Sequence, residues 1–143
     1  MMKRLLVIAV AALALASCGS QSPQSAMRSW MSSSSFLENA HQLHIDALHS
    51  ETALRTPAMN ALDLHTVCGV LLFETQAVNA SLPTPDAQLT SILANAFNTL
   101  GDGANECYRA GSSPQRRHAA IGYLQRGISY LFEGAARADV VQG

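Results

Sequence analysis

The sequence has few aromatic and few charged residues, 6% and 13% of its 143 positions. Strand-rich domains depend on aromatic and β-branched side chains, so this composition, with 48% hydrophobic residues, predicts an all-α fold with an Ala- and Leu-rich core. Lysine occurs only at position 3, and beyond residue 17 seven basic residues stand against ten acidic ones. The resulting net charge of −3 argues against a nucleic-acid partner, and the length predicts one domain.

Sequence signatures of catalysis are also missing. The chain contains no GxSxG, no HExxH, no CxxCH and no Gly-rich phosphate loop after a strand. We therefore expect neither an enzyme nor a bound cofactor.

An apolar stretch stands at the N-terminus. Lys3 and Arg4 precede about ten apolar residues, which are too few to span a bilayer as a helix and are typical of a secretion signal. The stretch ends in Leu15-Ala16-Ser17-Cys18, which resembles the lipobox of bacterial lipoproteins. The resemblance implies cleavage before Cys18 and acyl chains on that cysteine, which anchor the protein to the outside of the cell membrane. The alternative is an ordinary signal peptide with a cysteine near its cleavage site.

The segment after Cys18 is rich in Ser and Gln and poor in aliphatic residues. Such a composition favours a flexible tether, although the spacing of Met27, Trp30 and Met31 allows one helical turn or an interfacial contact. The predicted organisation is a signal peptide over residues 1–17, a lipidated cysteine and tether over 18–34, and a helical domain over 35–143.

Two cysteines remain after Cys18. An even pair in an oxidising compartment is most simply a disulfide, Cys68 to Cys107, which would stabilise the fold by roughly 3–4 kcal/mol. The alternative is a metal-binding or reactive thiol pair, but neither cysteine lies in a CxxC motif.

Four helix starts are predicted near residues 35, 56, 84 and 113. Thr56-Pro57, Thr84-Pro85 and Ser113-Pro114 combine an N-cap residue with proline at the first helical position, and Ser35 with Glu38 matches a capping box. Short connections then make neighbouring helices antiparallel, which predicts an up-down-up-down four-helix bundle.

Each predicted helix carries an apolar stripe with a period of 3.6 residues. The four stripes comprise Leu37, His41, His44, Ile45 and Leu48; Ala61, Leu64, Cys68, Leu71, Leu72 and Thr75; Leu89, Ile92, Leu93, Ala96, Leu100 and Cys107; and Ala120, Ile121, Leu124, Ile128, Leu131 and Ala135.

The disulfide constrains the hairpin between the second and third predicted helices. If both helices were uninterrupted and joined by a tight turn, the two cysteines would differ in height along the helix axes by roughly 9 Å, which is too far for a disulfide. Either Ser81-Leu82-Pro83 runs extended along the bundle, or Gly101-Asp102-Gly103 breaks the third helix.

The stretch from Cys68 through Leu82-Pro83-Thr84-Pro85-Asp86-x-x-Leu89 to Cys107 is similar to small secreted or lipid-anchored helical proteins of actinobacteria. That similarity implies a fold and a compartment but no activity.

Histidines are the first candidates for chemistry. His41, His44, His49 and His65 lie on the first two predicted helices, where facing histidines could hold Zn or Cu. The accompanying carboxylate pattern, Glu-x-x-His, occurs only as Glu38-x-x-His41. We therefore predict no metal site and retain His44, His49 and His65 as the weaker alternative.

Arginines are the second candidates. The junctions at 55–57 and 109–114 place Arg55, Arg109, Arg116 and Arg117 at the end of the bundle away from the anchor. Arg55 follows Glu51, and Arg109 follows Glu106, at helical spacing, whereas no acid precedes Arg116 and Arg117 locally.

We hypothesise that the Arg116–Arg117 pair contacts an anionic envelope protein or wall polymer, and that replacing both residues with alanine leaves stability unchanged or slightly improved. The favoured function is a structural or protein-interaction module at the cell envelope. The alternative is a binding module for a small apolar ligand, a lipid or a metal ion.

Overall fold

The computed structural model describes residues 21–143, so the predicted signal peptide and lipobox lie outside the described residues. Five helices follow one another: α1 (Pro23–Ser33), α2 (Phe36–Arg55), α3 (Ala61–Asn79), α4 (Ala87–Tyr108) and α5 (Pro114–Gln142). No strand occurs within this part of the chain. The all-α class is therefore confirmed, and the predicted number of four helices is wrong.

The additional helix, α1, lies where a flexible tether was predicted. Ser22 caps it by accepting a hydrogen bond from the Ser25 amide, and Pro23 occupies the first turn. Met27 and Met31 are buried, and the Trp30 indole N–H donates to the Ser81 carbonyl at 3.0 Å. Since these apolar side chains share one face at helical spacing, their burial against the other helices offsets the entropy of ordering the segment.

Only one of the four predicted helix starts has the predicted cap. Ser113 caps α5, as expected, by accepting from the Arg116 amide. Thr56 instead follows the end of α2, and Asn60 caps α3 through bonds from two backbone amides. Asn carries an acceptor that reaches the first-turn amides, and so it sets the start four residues after Thr56.

The other two caps also differ from the prediction. Ser35 has a φ of 49° and makes no side-chain capping bond, so the capping box with Glu38 is absent. Asp86 caps α4 by accepting from the Leu89 amide at 2.7 Å. The Thr84 hydroxyl contacts Asp86 and Thr90 instead of starting the helix.

Helices α2 to α5 contact one another in a ring, with α2 on α3, α3 on α4, α4 on α5 and α5 on α2. Helix α1 packs on α2 and α5. None of the helices between residues 21 and 143 combines the length and the hydrophobicity that crossing a membrane requires.

The stripes predicted for α3, α4 and α5 supply half of the buried hydrophobic residues. Their buried members are Leu64, Cys68, Leu71, Thr75, Leu89, Leu93, Ala96, Leu100, Cys107, Ala120, Leu124 and Leu131. The stripe predicted for α2 is wrong, because Leu37 and Leu48 are 62% and 44% exposed. Helix α2 instead buries its Leu43–Ala47–Leu54 face, because Phe36 at its start packs against Trp30 of α1 at 5.3 Å between ring centroids.

The disulfide between Cys68 and Cys107 is confirmed. Their Cα atoms lie 5.8 Å apart, and both residues are fully buried. Helix α4 runs unbroken through Gly101-Asp102-Gly103, whereas residues 82–84 lie outside any helix. The connection between α3 and α4 therefore brings the two cysteines to the same height along the bundle, and α4 needs no break.

Glycines allow α4 and α5 to approach closely. A Cβ atom on Gly127 would lie 2.6 Å from Leu100 Cγ and 3.0 Å from the Leu100 backbone nitrogen. A Cβ atom on Gly134 would lie 2.5 Å from Leu93 Cδ2. Larger residues at these two positions would force the helices apart.

Candidate functional site

The candidate histidines have separate surroundings. The His44 ring meets Phe132 edge to face at 4.9 Å, and the His65 ring stacks on Tyr108 at 4.1 Å. His49 Nδ1 lies 3.8 Å from an Asp46 carboxylate oxygen. No group of three or more metal-ligating side chains occurs in residues 21–143, so the structure does not assemble a site from these histidines.

Arg117 is half-buried where the α2–α3 and α4–α5 connections meet. Its guanidinium donates to the carbonyls of Gly111, Leu54, Thr56 and Met59 at distances of 2.8, 3.2, 2.9 and 2.6 Å. Three of these acceptors belong to the end of α2 and the α2–α3 connection, and the fourth lies in the α4–α5 connection. The guanidinium is therefore engaged within the fold, because its donors bind backbone oxygens that a helix end leaves unpaired. The hypothesis of an anionic partner for Arg117 stays a prediction.

The other predicted arginines lie on the surface. Arg55 binds Glu51 at 2.6 Å, as its spacing predicts. Glu106 lies 3.8 Å from Arg116 and not beside Arg109, so the predicted pairing of Arg109 is wrong. Among residues 21–143, Arg109 makes no ion pair, and the Arg116 side chain is 52% exposed. These two side chains of the proposed anionic-partner patch are exposed to solvent.

A polar groove, which the sequence analysis missed, runs between α3 and α4. It has a volume of about 550 Å³ and a floor formed by Leu72, Phe97 and Gly101. Its walls carry the polar side chains of Thr75, Gln76, Asn79, Asn98, Asp102 and Asn105. We call this feature the α3–α4 groove.

The four amide side chains of the groove make no hydrogen bond with any group in the part of the chain that the structure describes. Asp102 likewise makes no ion pair there. Thr75, in contrast, donates to the Leu72 carbonyl at 2.8 Å. The groove therefore presents four unused donor–acceptor amides and one carboxylate to solvent.

An aromatic stack lies next to one end of this groove. Tyr108 follows Asn105 by one turn of α4 and stacks on His65 of α3 with an interplanar angle of 6°. A Cβ atom on Gly69 would lie 3.8 Å from Tyr108 Cε2, so the tyrosine ring covers α3 at this glycine. Tyr108 is 38% exposed and lies outside the residues that line the groove.

Asp86 ties the start of α4 to α5. Its carboxylate caps α4 and also binds Arg137, with the shorter contact at 2.7 Å. The hydrogen bond from Arg137, together with that from the Leu89 amide, holds the pKa of Asp86 below its ordinary value of 3.8. This pair stabilises the fold and lies outside the groove.

A carboxyl pair lies between α2 and α3. Burial raises the pKa of Glu74 to about 7, and the neighbouring Asp46 carboxyl group adds to the rise. Glu74 Oε2 and Ser34 Oγ are buried atoms without a hydrogen-bond partner in the described chain. Gln42 donates to Asp46 at 2.6 Å and keeps that carboxylate in place.

Glu74→Gln is expected to stabilise the protein at neutral and alkaline pH. The folded state binds the Glu74 proton more tightly than the unfolded state, so this residue's contribution is fully present below pH 4.5 and is lost as pH rises through about 7. Thermal unfolding from pH 4 to pH 9 should show a higher melting temperature for the variant above pH 7 and a weaker pH dependence between 4.5 and 7. The exposed Glu133→Gln is the matched control, and an identical pH profile for the two variants would contradict this account.

The disulfide and the Arg55–Glu51 pair are predictable from the sequence, whereas the groove is not. Exposed amides on α3 and α4 look like an ordinary solvated face until the two helices are known to be neighbours. Comparison of the chain with protein-family models, curated proteins and solved structures finds no match.

Proposed function

We propose that this protein is a lipid-anchored, extracytoplasmic interaction module of a bacterial cell envelope. The observation that carries the proposal is Cys18, which follows Leu15-Ala16-Ser17 at the end of an apolar, signal-like stretch. Acyl chains on that cysteine would hold the protein on the membrane without a spanning helix.

The Cys68–Cys107 disulfide supports the same compartment, since structural disulfides persist in oxidising surroundings outside the cytoplasm. Helix α1 begins at Pro23, so only four residues separate it from Cys18. The five residue steps from Cys18 to Pro23 reach at most about 18 Å, and the helical domain therefore stays close to the membrane surface.

The proposed arrangement of α2 to α5 is an antiparallel up-and-down bundle with α1 packed on α2 and α5. The ring of contacts and the short connections between consecutive helices favour it. A disulfide and the Arg117 hydrogen bonds make this bundle a rigid support for a binding surface.

The intact mass of the protein from a bacterial host's membrane tests the proposal. We expect a chain that begins at Cys18, carries acyl chains and lacks two protons because of the disulfide. Cys18→Ala should be released from the membrane fraction. An unmodified full-length mass, or a Cys18→Ala variant that stays on the membrane, would overturn the anchoring proposal.

A binding module for a small apolar ligand is the second candidate function. An apolar groove of about 420 Å³ between α2 and α3, lined in part by Ala53, Met59, Val67 and Val70, favours it. Native mass spectrometry of the same preparation distinguishes the two candidates, because a retained ligand adds mass that is lost on denaturation.

A further inference from the structure

We propose that the α3–α4 groove binds a neutral glycan segment. The proposal rests on the envelope location proposed above, where saccharide polymers surround an anchored protein. It names a ligand class for the interaction module and assigns the site to Gln76, Asn79, Asn98 and Asn105.

The amide side chains of the groove favour a ligand rich in hydroxyl groups. A planar amide offers two N–H donors and a carbonyl acceptor from one rigid group, which matches the paired donors and acceptors of neighbouring sugar hydroxyls. Two of the four amides come from α3 and two from α4, so they face a ligand from both walls. Since none is used within residues 21–143, binding would not break an existing bond of the fold.

The charge of the groove lining favours a neutral ligand. The groove lining contains one carboxylate, Asp102, and no cation, so phosphate or sulfate groups would meet no partner there. An acyl chain would have to desolvate the amides and Asp102 without replacing their hydrogen bonds with water, which is costly. A neutral, hydroxyl-rich ligand satisfies both conditions.

The shape and lining of the groove suit sugar rings. Gly101 has no side chain, so its backbone lies at the floor of the groove, 3.4 Å from Thr75 Oγ1 when measured from the position that a Cβ atom would take. The apolar floor of Leu72 and Phe97 suits the C–H faces of sugar rings, while the amides of the walls suit the hydroxyls. The groove is open to solvent, so a ligand can reach its lining from outside.

Heteronuclear NMR of side-chain amide signals tests the proposal directly. The full chain, produced with its N-terminal sequence in a bacterial host and purified in detergent, is titrated with chitotetraose, with maltotetraose and with a tetra-alanine peptide. We expect at least one saccharide to shift the side-chain signals of Gln76, Asn79, Asn98 and Asn105, with a dissociation constant of about 1 mM or tighter.

Asn98→Ala/Asn105→Ala should weaken saccharide binding at least about tenfold, the equivalent of one good hydrogen bond. Gln88→Ala removes an exposed amide of the same helix outside the groove and should bind as the unmodified protein does. Backbone spectra of all three proteins verify that the fold is intact.

Three results would overturn the proposal. These are no groove shift with either saccharide, shifts only with the peptide, which would make the groove a peptide site, or equal binding by the double-alanine variant. The intact mass of the same sample reports anchoring separately, so failure of glycan binding and failure of the envelope proposal are distinguishable.

Discussion

Arg117→Ala is expected to lower the free energy of unfolding by about 2–3 kcal/mol, because hydrogen bonds to a charged group contribute more than neutral ones and their carbonyl partners would be left unpaired. For a domain of this size, the corresponding fall in melting temperature is roughly 10 °C. The guanidinium joins the α2–α3 connection to the α4–α5 connection, so both should become mobile together. Thermal unfolding followed by circular dichroism measures the effect.

Two matched variants show whether the geometry of the guanidinium matters. Arg117→Lys keeps the positive charge but cannot serve four carbonyls, and we expect it to recover only part of the stability. Arg109→Ala removes an exposed arginine without an ion pair in residues 21–143 and should change stability by less than about 0.5 kcal/mol. Equal melting temperatures for Arg117→Ala and Arg109→Ala would instead favour the anionic-partner hypothesis for Arg117.

Removing the disulfide is expected to have the largest effect. Cys68→Ala/Cys107→Ala opens a link between residues separated by 39 positions, and loop-closure entropy predicts a loss of roughly 3–4 kcal/mol. The alanines also leave space where two buried sulfur atoms pack, which adds to the loss. The melting temperature should fall by roughly 10–15 °C.

Reduction of the unmodified protein separates the two contributions. Thiol-reduced protein should lose most of the same stability, while the alanine variant should no longer respond to reductant. A melting temperature that is insensitive to reductant in the unmodified protein would mean that Cys68 and Cys107 are not linked in solution.

Trp30 and Asp86 illustrate how local and distant information combine in this fold. The sequence predicted Thr84 as the cap of α4, whereas Asp86 holds that role, and its partner Arg137 lies 51 positions away, where only the packing of α5 on α4 brings it near. Trp30 was visible as a large apolar residue in a polar segment. Its indole partner, the Ser81 carbonyl, depends on where the α3–α4 connection lies.

The sequence by itself determined the helical class, the pairing of Cys68 with Cys107 and most of the buried face of α3, α4 and α5, while it left open whether residues 81–83 or 101–103 depart from a helix. These follow from residue periodicity, residue count and covalent reach, which are properties of local stretches or of one pair. The sequence also carries the predicted signal and lipobox in residues 1–18, beyond the part of the chain that the structure describes.

Only the tertiary structure decided which face of α2 is buried, that residues 23–33 form a docked helix, and that Arg117 binds backbone carbonyls. The apolar residues of α2 lie on more than one face, so periodicity cannot choose between them without the position of Phe36 against Trp30. The high pKa of Glu74 and the α3–α4 groove likewise depend on which helices are neighbours. Burial and electrostatic interactions act between residues distant in sequence, and packing alone determines those distances.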